Sequence, residues 1–260
     1  MNYGHSLLKA VSTTAFVLTL GMTVSAGASA FGGKTWKEEV KLHDGQVIVE
    51  ERHVNLGGYL YLDSSERVSL DETATFILRG TNKKIIWKTD FRDSEPEPNS
   101  LNLIRFDVVE GTPYIATYPA GCIAYNKWGR PNPPQVLFKY EGDRWKRITV
   151  AELPPELIGM PANVIVGAPA SSQLKSFYTV EGVNTKNYYI STPEYKTILR
   201  EPVRSAGQGC PEMIRKGNGG WDGIGWFSDQ PSKEACLKYC EQKEVSAQNC
   251  PCNRLFKGAK

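Results

Sequence analysis

The sequence predicts a mainly β protein made of antiparallel hairpins, followed by a short helical, disulfide-rich C-terminal tail. Short runs of alternating apolar and polar residues, separated by turns that contain Gly or Asp, fill residues 35 to 150. Four of the six cysteines fall between positions 236 and 252. No helical periodicity separates the strand-like runs, which argues against a parallel α/β fold. A sandwich, a barrel and a propeller-like meander all fit this pattern.

The first 30 residues have the order of a secretory signal peptide. A weakly basic start, MNYGHSLLK, precedes the apolar run AVSTTAFVLTLGMTV and a small-residue exit that ends at Ala30. A spanning helix needs about 20 strongly apolar residues, and this run is shorter and rich in hydroxyl groups. We therefore expect cleavage after Ala30, a periplasmic or secreted protein, and no transmembrane span after cleavage. An uncleaved anchor is the alternative.

The hairpins follow from their turns. WKEEVKLH and QVIVEERHV flank Asp44-Gly45, which predicts a two-residue turn between two strands. Further hairpins are predicted around GTN, around EGT and around EGD. In LNLIRFDVV, alternation places Ile104 and Phe106 on one face of a strand.

Three proline-spaced segments interrupt the strands, at residues 92 to 100, 129 to 135 and 152 to 173. The last of these is predicted to wrap an edge or to join two domains. Beyond it, SFYTVEGV and NYYISTP are predicted as further strands. The resulting division is a signal peptide at 1–30, a β-rich domain at 31–200 and a Cys-rich tail with one short helix at 201–260.

The cysteines are Cys122, Cys210, Cys236, Cys240, Cys250 and Cys252. Export to an oxidising compartment and an even count predict disulfide bonds. SKEACLKYC predicts a short helix capped by Ser232, with Cys236 and Cys240 on one face. Cys250 and Cys252 flank a proline and are too constrained to bond each other. We expect the helix pair to be bridged to these two, and the remaining two cysteines to pair with each other.

A four-cysteine zinc site is the alternative for the tail. Its intervals of three, nine and one residues do not match paired Cys-x2-Cys knuckles, so we expect no metal. His43 and His53 are the histidines that follow the predicted cleavage point. With a two-residue turn they would lie about 23 Å apart along the hairpin, too far to share an ion.

The sequence contains no G-x-S-x-G motif, and its cysteines are expected to be oxidised. We therefore assign no catalytic residue and no cofactor, and we lean against an enzyme. The remaining catalytic hypothesis is a hydrolase that uses carboxylates. Its candidates are Asp93, Glu95 and Glu97 in the acidic loop, with Asp107 or Glu110.

Aromatic residues in polar loops are the remaining functional signal. Trp128 and Arg130 lie beside a rigid proline run, and Trp221 and Trp226 lie in the glycine-rich stretch GNGGWDGIGWF. Large rings and Arg are enriched in binding surfaces, so these four residues are the predicted contact residues. The alternative is that the rings cap the core or cover a disulfide. The net charge is +3 with both signs interspersed, which argues against a nucleic-acid partner.

Two resemblances accompany these patterns. AYNKWGRPNPP, WKEEVKLHDG and YKTILREPV resemble a family of Sec-exported proteobacterial proteins with no known activity, over about residues 35 to 203. SKEACLKYC followed by Cys-x-Cys is similar to the WSC family of small disulfide-rich modules linked to carbohydrate binding. The segment EQKEVSAQN between the two cysteine pairs is short and lacks that family's aromatic-glycine stretch.

Together these observations predict an exported protein that binds an envelope protein or a cell-wall glycan without turning it over. A structural role in the envelope belongs to the same hypothesis. A carbohydrate- or peptidoglycan-binding module is one alternative, and the carboxylate hydrolase is the other.

Overall fold

The computed structural model describes residues 32–60, 66–78, 80, 83–91 and 100–257. The predicted signal peptide and residues 92–99 of the acidic loop lie outside this part of the chain. The strands are β1 (Gly33–Lys41), β2 (Val47–Leu60), β3 (Arg67–Ile77), β4 (Lys84–Asp90), β5 (Leu101–Val109), β6 (Thr112–Pro119), β7 (Val136–Glu141), β8 (Arg144–Ile148), β9 (Phe177–Tyr178), β10 (Met213–Arg215) and β11 (Trp221–Gly223). The α-helices are α1 (Cys122–Lys127), α2 (Val180–Tyr188), α3 (Gly225–Ser228), α4 (Lys233–Gln242) and α5 (Cys252–Leu255).

Two open sheets form the main body. The first sheet has the order β4-β3-β2-β1-β9, and the second has the order β5-β6-β7-β8. All neighbours are antiparallel except the two-residue β9, which runs parallel to β1. The sheets share one core, in which the Phe76 ring stacks on Phe106 at 3.8 Å and Trp87 contacts Phe138 at 4.9 Å. The predicted mainly β class is confirmed, and two open sheets that share a core favour the sandwich.

The first hairpin has a different turn from the predicted one. Lys41 lies opposite Val47, and the Leu42 N–H donates to the Gln46 carbonyl at 2.8 Å. Gly45 then occupies the left-handed region at φ 87°, and its N–H donates to the Leu42 carbonyl at 3.1 Å. This is a three-residue loop, in which a type I turn is followed by one left-handed residue. The prediction of a two-residue turn was wrong because glycine serves this position as readily as the centre of the tighter turn.

Strand β5 departs from simple alternation. The register between β5 and β6 shifts between Leu103 and Arg105, which marks a bulge. Ile104 therefore packs in the core on the outer side of the second sheet, whereas Phe106 packs in the core between the sheets. The prediction that both face the same side was wrong. Both faces of this strand are buried, and the buried Arg105 donates from Nε to Asp107 at 2.9 Å.

The predicted wrap at 152–173 is an irregular segment with short 3-10 turns that covers both sheets. Leu157 packs on the outer side of the second sheet, and Ile165 packs against the Trp36 side of the first. In a sheet, neighbouring strands supply the hydrogen-bond partners of the buried backbone. A buried irregular segment needs other groups to supply them. Side-chain amides supply several of them here.

Three buried amides hold these irregular segments. Asn163 donates from Nδ2 to the carbonyls of Lys41 at 2.9 Å and Phe106 at 2.7 Å, and its Oδ1 accepts from the Phe106 N–H at 3.1 Å. Asn187 brackets the same segment, donating to the carbonyl of residue 164 and accepting from the N–H of residue 166. Gln135 holds the backbone around residues 194 to 199 in the same way.

The two strands predicted after residue 173 do not form as predicted: α2 begins within the first, and the second runs from the end of α2 into irregular backbone. Phe177–Tyr178 is a short strand, but α2 follows it directly. The Thr179 hydroxyl caps this helix by accepting from the Gly182 N–H at 3.3 Å. Val183 is buried beside Trp36, so tertiary burial of one helical residue outweighs the local preference for strand.

The tail has a small core of its own, formed by Ile214, Phe227 and the cysteines. Helix α4 begins as predicted, with the Ser232 hydroxyl accepting from the Ala235 N–H at 3.2 Å. Besides α4, the tail contains α3, α5 and the hairpin β10–β11, which the prediction of one short helix missed.

All six cysteines lie at disulfide distance, as Cys122–Cys210, Cys236–Cys252 and Cys240–Cys250. This agrees with the predicted bridging of the helix pair and of the two outlying cysteines. Within the described ranges, no helix has the length and apolar character that crossing a bilayer requires.

Candidate functional site

A cleft of about 980 Å³ lies at one end of the sandwich. The starts of β1, β3 and β5 form its walls, together with α1, the wrap near residues 168 to 170, and Met213 of the tail. Apolar surface comes from side chains such as Val68, Phe91 and Ile123. The volume lies in the range of small-molecule sites, which mix apolar walls with a few placed polar groups.

An ion pair fixes one wall of the cleft. Lys34 donates from Nζ to Glu66 Oε2 at 2.6 Å and to the Pro169 carbonyl at 2.9 Å. Glu66 Oε1 also accepts from the Ser171 N–H at 2.7 Å. The hydrogen bond from Lys34, followed by those from Ser171, lowers the pKa of Glu66 below its ordinary value despite partial desolvation. These contacts tie the wrap to the starts of β1 and β3.

Glu72 places a carboxylate at the floor of the cleft. Its Oε1 accepts two bonds from Arg52, one from Nε at 2.9 Å and one from Nη2. Its Oε2 makes no hydrogen bond to the described residues, although the side chain is only 5% exposed. A ligand that donates a hydrogen bond would satisfy this oxygen.

Further charged groups lie behind Glu72, fully buried in the first sheet. Arg52 donates from Nη1 to Glu38 at 3.3 Å and to the Ile165 carbonyl, and it lies over the Trp36 ring. Glu38 in turn accepts from the Ile165 N–H at 3.1 Å. Strands β1, β2 and the wrap are therefore held together by charged side chains behind the site.

Glu50 is directly opposite Glu38 in the register of β1 and β2, and both are 0% exposed. Burial, and then the charge of Glu38, raises the pKa of Glu50 well above its ordinary value. The ionised Glu50 would have no hydrogen-bond partner for either oxygen. In its protonated form it donates to Glu38. The group of Arg52, Glu38, Glu50 and Glu72 then carries a net charge of −1, which Arg67 in the cleft wall offsets.

Two of the four predicted contact residues serve the chain itself. Trp128 packs edge-on against Phe138 at 5.8 Å, at the border of the main core. Arg130 donates to the carbonyls of Pro211 at 3.1 Å and Cys210 at 3.0 Å. These contacts fit the alternative interpretation, in which such residues cap the core or cover a disulfide.

The tail tryptophans differ from each other. Trp221 is half-buried on β11, opposite Arg215. Trp226 is 65% exposed, on α3. Neither lines the cleft, so the structure does not bring the four predicted residues into one site.

The carboxylate candidates give no paired site among the described residues. Asp93, Glu95 and Glu97 lie outside the described ranges. Asp107 is bound to Arg105, and Glu110 is exposed in the β5–β6 turn at φ 48°.

Sequence reasoning missed the cleft, but one signal for it was present. In VIVEERHV, alternation puts Glu50 and Arg52 on the same face as Ile48 and Val54. Two charged residues on an otherwise apolar face indicate a buried polar cluster, because burying a charge requires a partner. No pattern in the neighbouring sequence indicates that Glu66 or Lys34 would line the cleft.

No protein-family model, curated protein or solved structure matches this chain. Its function is therefore argued from the cleft and from the sequence.

Proposed function

We propose that this chain is an exported, non-enzymatic binding protein of the cell envelope that takes a small amphipathic ligand in the cleft. The observation that carries the proposal is a cleft of about 980 Å³ with the Glu72 carboxylate at its floor. The proposed ligand has an apolar body and a hydrogen-bond donor or amine that contacts Glu72.

The ligand class follows from charge and shape. Arg52 occupies one oxygen of Glu72 and leaves the other to the cleft. Arg67 in the cleft wall offsets the negative charge of the group behind Glu72, and the Lys34–Glu66 pair is neutral as a whole. The free oxygen of Glu72, rather than the net charge of the cleft, therefore selects a ligand that donates a hydrogen bond. Val68, Phe91 and Ile123 offer apolar surface to the rest of the ligand.

Export is supported by the signal-peptide pattern and by cysteines at disulfide distance, since such bonds persist in oxidising compartments. The family resemblances in the sequence belong to the same proposal.

A substitution that narrows the cleft tests the site. Ala120 lines the cleft and is exposed, so Ala120→Trp should fill the opening without disturbing the core. Ala151 is exposed and does not line the cleft, so Ala151→Trp is the matched control. Both variants would be purified from the periplasm, analysed by native mass spectrometry and titrated with alkylamines of increasing chain length.

We expect wild type and Ala151→Trp to carry a bound mass or to gain thermal stability with alkylamines, and Ala120→Trp to lose both. Glu72→Gln should weaken amine binding by about tenfold, the effect of one charge-assisted hydrogen bond. Equal binding by all variants, or none by wild type, would overturn the assignment of the cleft.

A carbohydrate-binding module is a second candidate, favoured by the exposure of Trp226. A ring that is 65% exposed, on the short helix α3, can stack on a sugar face. Trp226→Ala should then abolish cosedimentation with purified sacculi. Leu237→Ala, at another exposed apolar position of the tail, should not change it. If the wild-type protein does not pellet with sacculi, this candidate is removed.

A further inference from the structure

A second cavity, of about 320 Å³, is lined by basic groups and by no acidic side chain. It lies between the end of β1, strand β5, residues 160 to 163 and helix α2. Its ionisable lining residues are Lys41, His43 and Arg105. A recess lined by one sign of charge attracts ligands of the opposite sign.

His43 is held in one orientation at this cavity. Its Nδ1 lies 2.8 Å from Asp107 Oδ1, and its backbone N–H donates to both oxygens of Asp107 at 3.2 and 3.1 Å. Asp107 also accepts from Arg105 Nε at 2.9 Å and from the Val108 N–H at 2.9 Å. Because a carboxylate oxygen accepts, the Nδ1–H of His43 donates to Asp107, which leaves Nε2 as the ring nitrogen available to a ligand.

Arg105 has donors to spare. Its Nε and Nη2 donate to Asp107, and its Nη1 donates to the Pro161 carbonyl at 2.7 Å. Three of its five N–H groups are thus used, and the side chain is only 3% exposed. Buried donors without partners are costly, so an acceptor in the cavity would be favoured.

The acidic groups that border the cavity are already engaged. Asp107 lies behind His43 and is saturated by the bonds above. Glu39 accepts from the Val180 N–H at 3.0 Å at the start of α2. Neither competes for Nε2 of His43 or for the remaining donors of Arg105.

We propose that this cavity binds a small oxyanion, such as a phosphate or carboxylate group, through His43, Arg105 and Lys41. The site is separate from the cleft and does not depend on the proposed function. The anion can be free or can be the end group of a larger molecule that enters the cavity. Arg105 and Lys41 supply the hydrogen-bond donors, and His43 Nε2 can donate only in the form of the ring in which that nitrogen carries a proton.

Histidine NMR with inorganic phosphate or acetate tests the site. His53 is a built-in control, because its two ring nitrogens are already bonded to Thr35 at 2.8 Å and Asn55 at 3.1 Å. We expect the His43 ring signals to move saturably with phosphate or acetate and the His53 signals to stay. The anion that saturates at the lower concentration identifies the preferred class.

Charge variants make the test specific. Lys41→Gln should weaken binding by about threefold to tenfold, the effect of one charge-assisted contact. Lys37→Gln, on the same strand but absent from the cavity lining, should not. Both variants change exposed positions and should fold. An equal response to chloride at matched ionic strength, or no saturable change at His43, would overturn the proposal.

Discussion

At the scale of the residue, Glu50 has the most unusual environment among the described side chains of the first sheet. It is fully buried and faces Glu38 across the β1–β2 register. Its carboxyl oxygens make no hydrogen bond to the described residues, and its contact with Arg52 Nε is long, at 3.8 Å. Its pKa in the folded protein is raised above the ordinary value of 4.5, by burial and then by Glu38. A raised pKa means that its stabilising contribution is fully present below the unfolded pKa and is lost as the pH rises towards the folded pKa.

Replacing Glu50 by glutamine should remove this loss. Over the pH range in which Glu50 is protonated in the folded state but not in the unfolded state, the wild type should lose about 1.4 kcal/mol of stability per pH unit relative to Glu50→Gln. The advantage of the variant should therefore grow from about pH 5 upwards. Urea unfolding at several pH values measures this difference.

Glu51→Gln is the matched control, because the Glu51 side chain is half exposed and pairs with Lys37 at the surface. It should leave the pH dependence unchanged. If the stability of Glu50→Gln depends on pH in the same way as that of the wild type, Glu50 is not protonated in the folded protein.

At the scale of the element, the wrap has no regular ladder, and single amides replace one. Asn163 acts as a short piece of strand, since it accepts from and donates to the same residue, Phe106. It also holds the Lys41 carbonyl at the end of β1. One side chain thus joins β1, β5 and the wrap, between the cleft and the basic cavity.

Asn163→Ala should lower the free energy of unfolding by about 2–4 kcal/mol, because it leaves buried backbone groups without partners. Chemical denaturation measures the change. Asn253→Ala, at an exposed position of α5, should change it by less than about 0.5 kcal/mol. Similar effects from the two variants would show that the amide does not hold the wrap.

At the scale of the whole molecule, the tail is joined to the sandwich at one junction. Cys122 of α1 lies at disulfide distance from Cys210, which is 88 residues later in the chain. Arg130 reinforces the junction by donating to the Cys210 and Pro211 carbonyls. The same junction places Met213 at the edge of the cleft, so the tail contributes to that site.

An intact mass of protein from the periplasmic fraction tests export and these bonds together. The mature chain should begin at Phe31 and should be lighter than its reduced form by two hydrogens for each of three disulfides. A chain that keeps its first residues, or one with free thiols that carries zinc in its native spectrum, would contradict export or the disulfides.

Local patterns determined the mainly β class, the Ser232-capped helix and the bridging of the helix cysteines to Cys250 and Cys252, but not which of these four pairs with which. Each depends on neighbours in sequence: alternation, a cap three residues from its donor, or cysteines on one helix face. The α2 helix and the β5 bulge were missed, because burial of Val183 and Ile104 against distant residues decided them.

The two sites were decided by tertiary structure. Glu72 reaches the cleft, and His43 meets Asp107, only after the two sheets and the wrap have packed. The sequence by itself determined the mainly β class and the start of α4, because alternation and a helix cap act between residues that are close in sequence. Only the tertiary structure decided which charges are buried together, because that depends on contacts between residues far apart in the chain, such as Glu38 and Ile165, which are 127 positions apart.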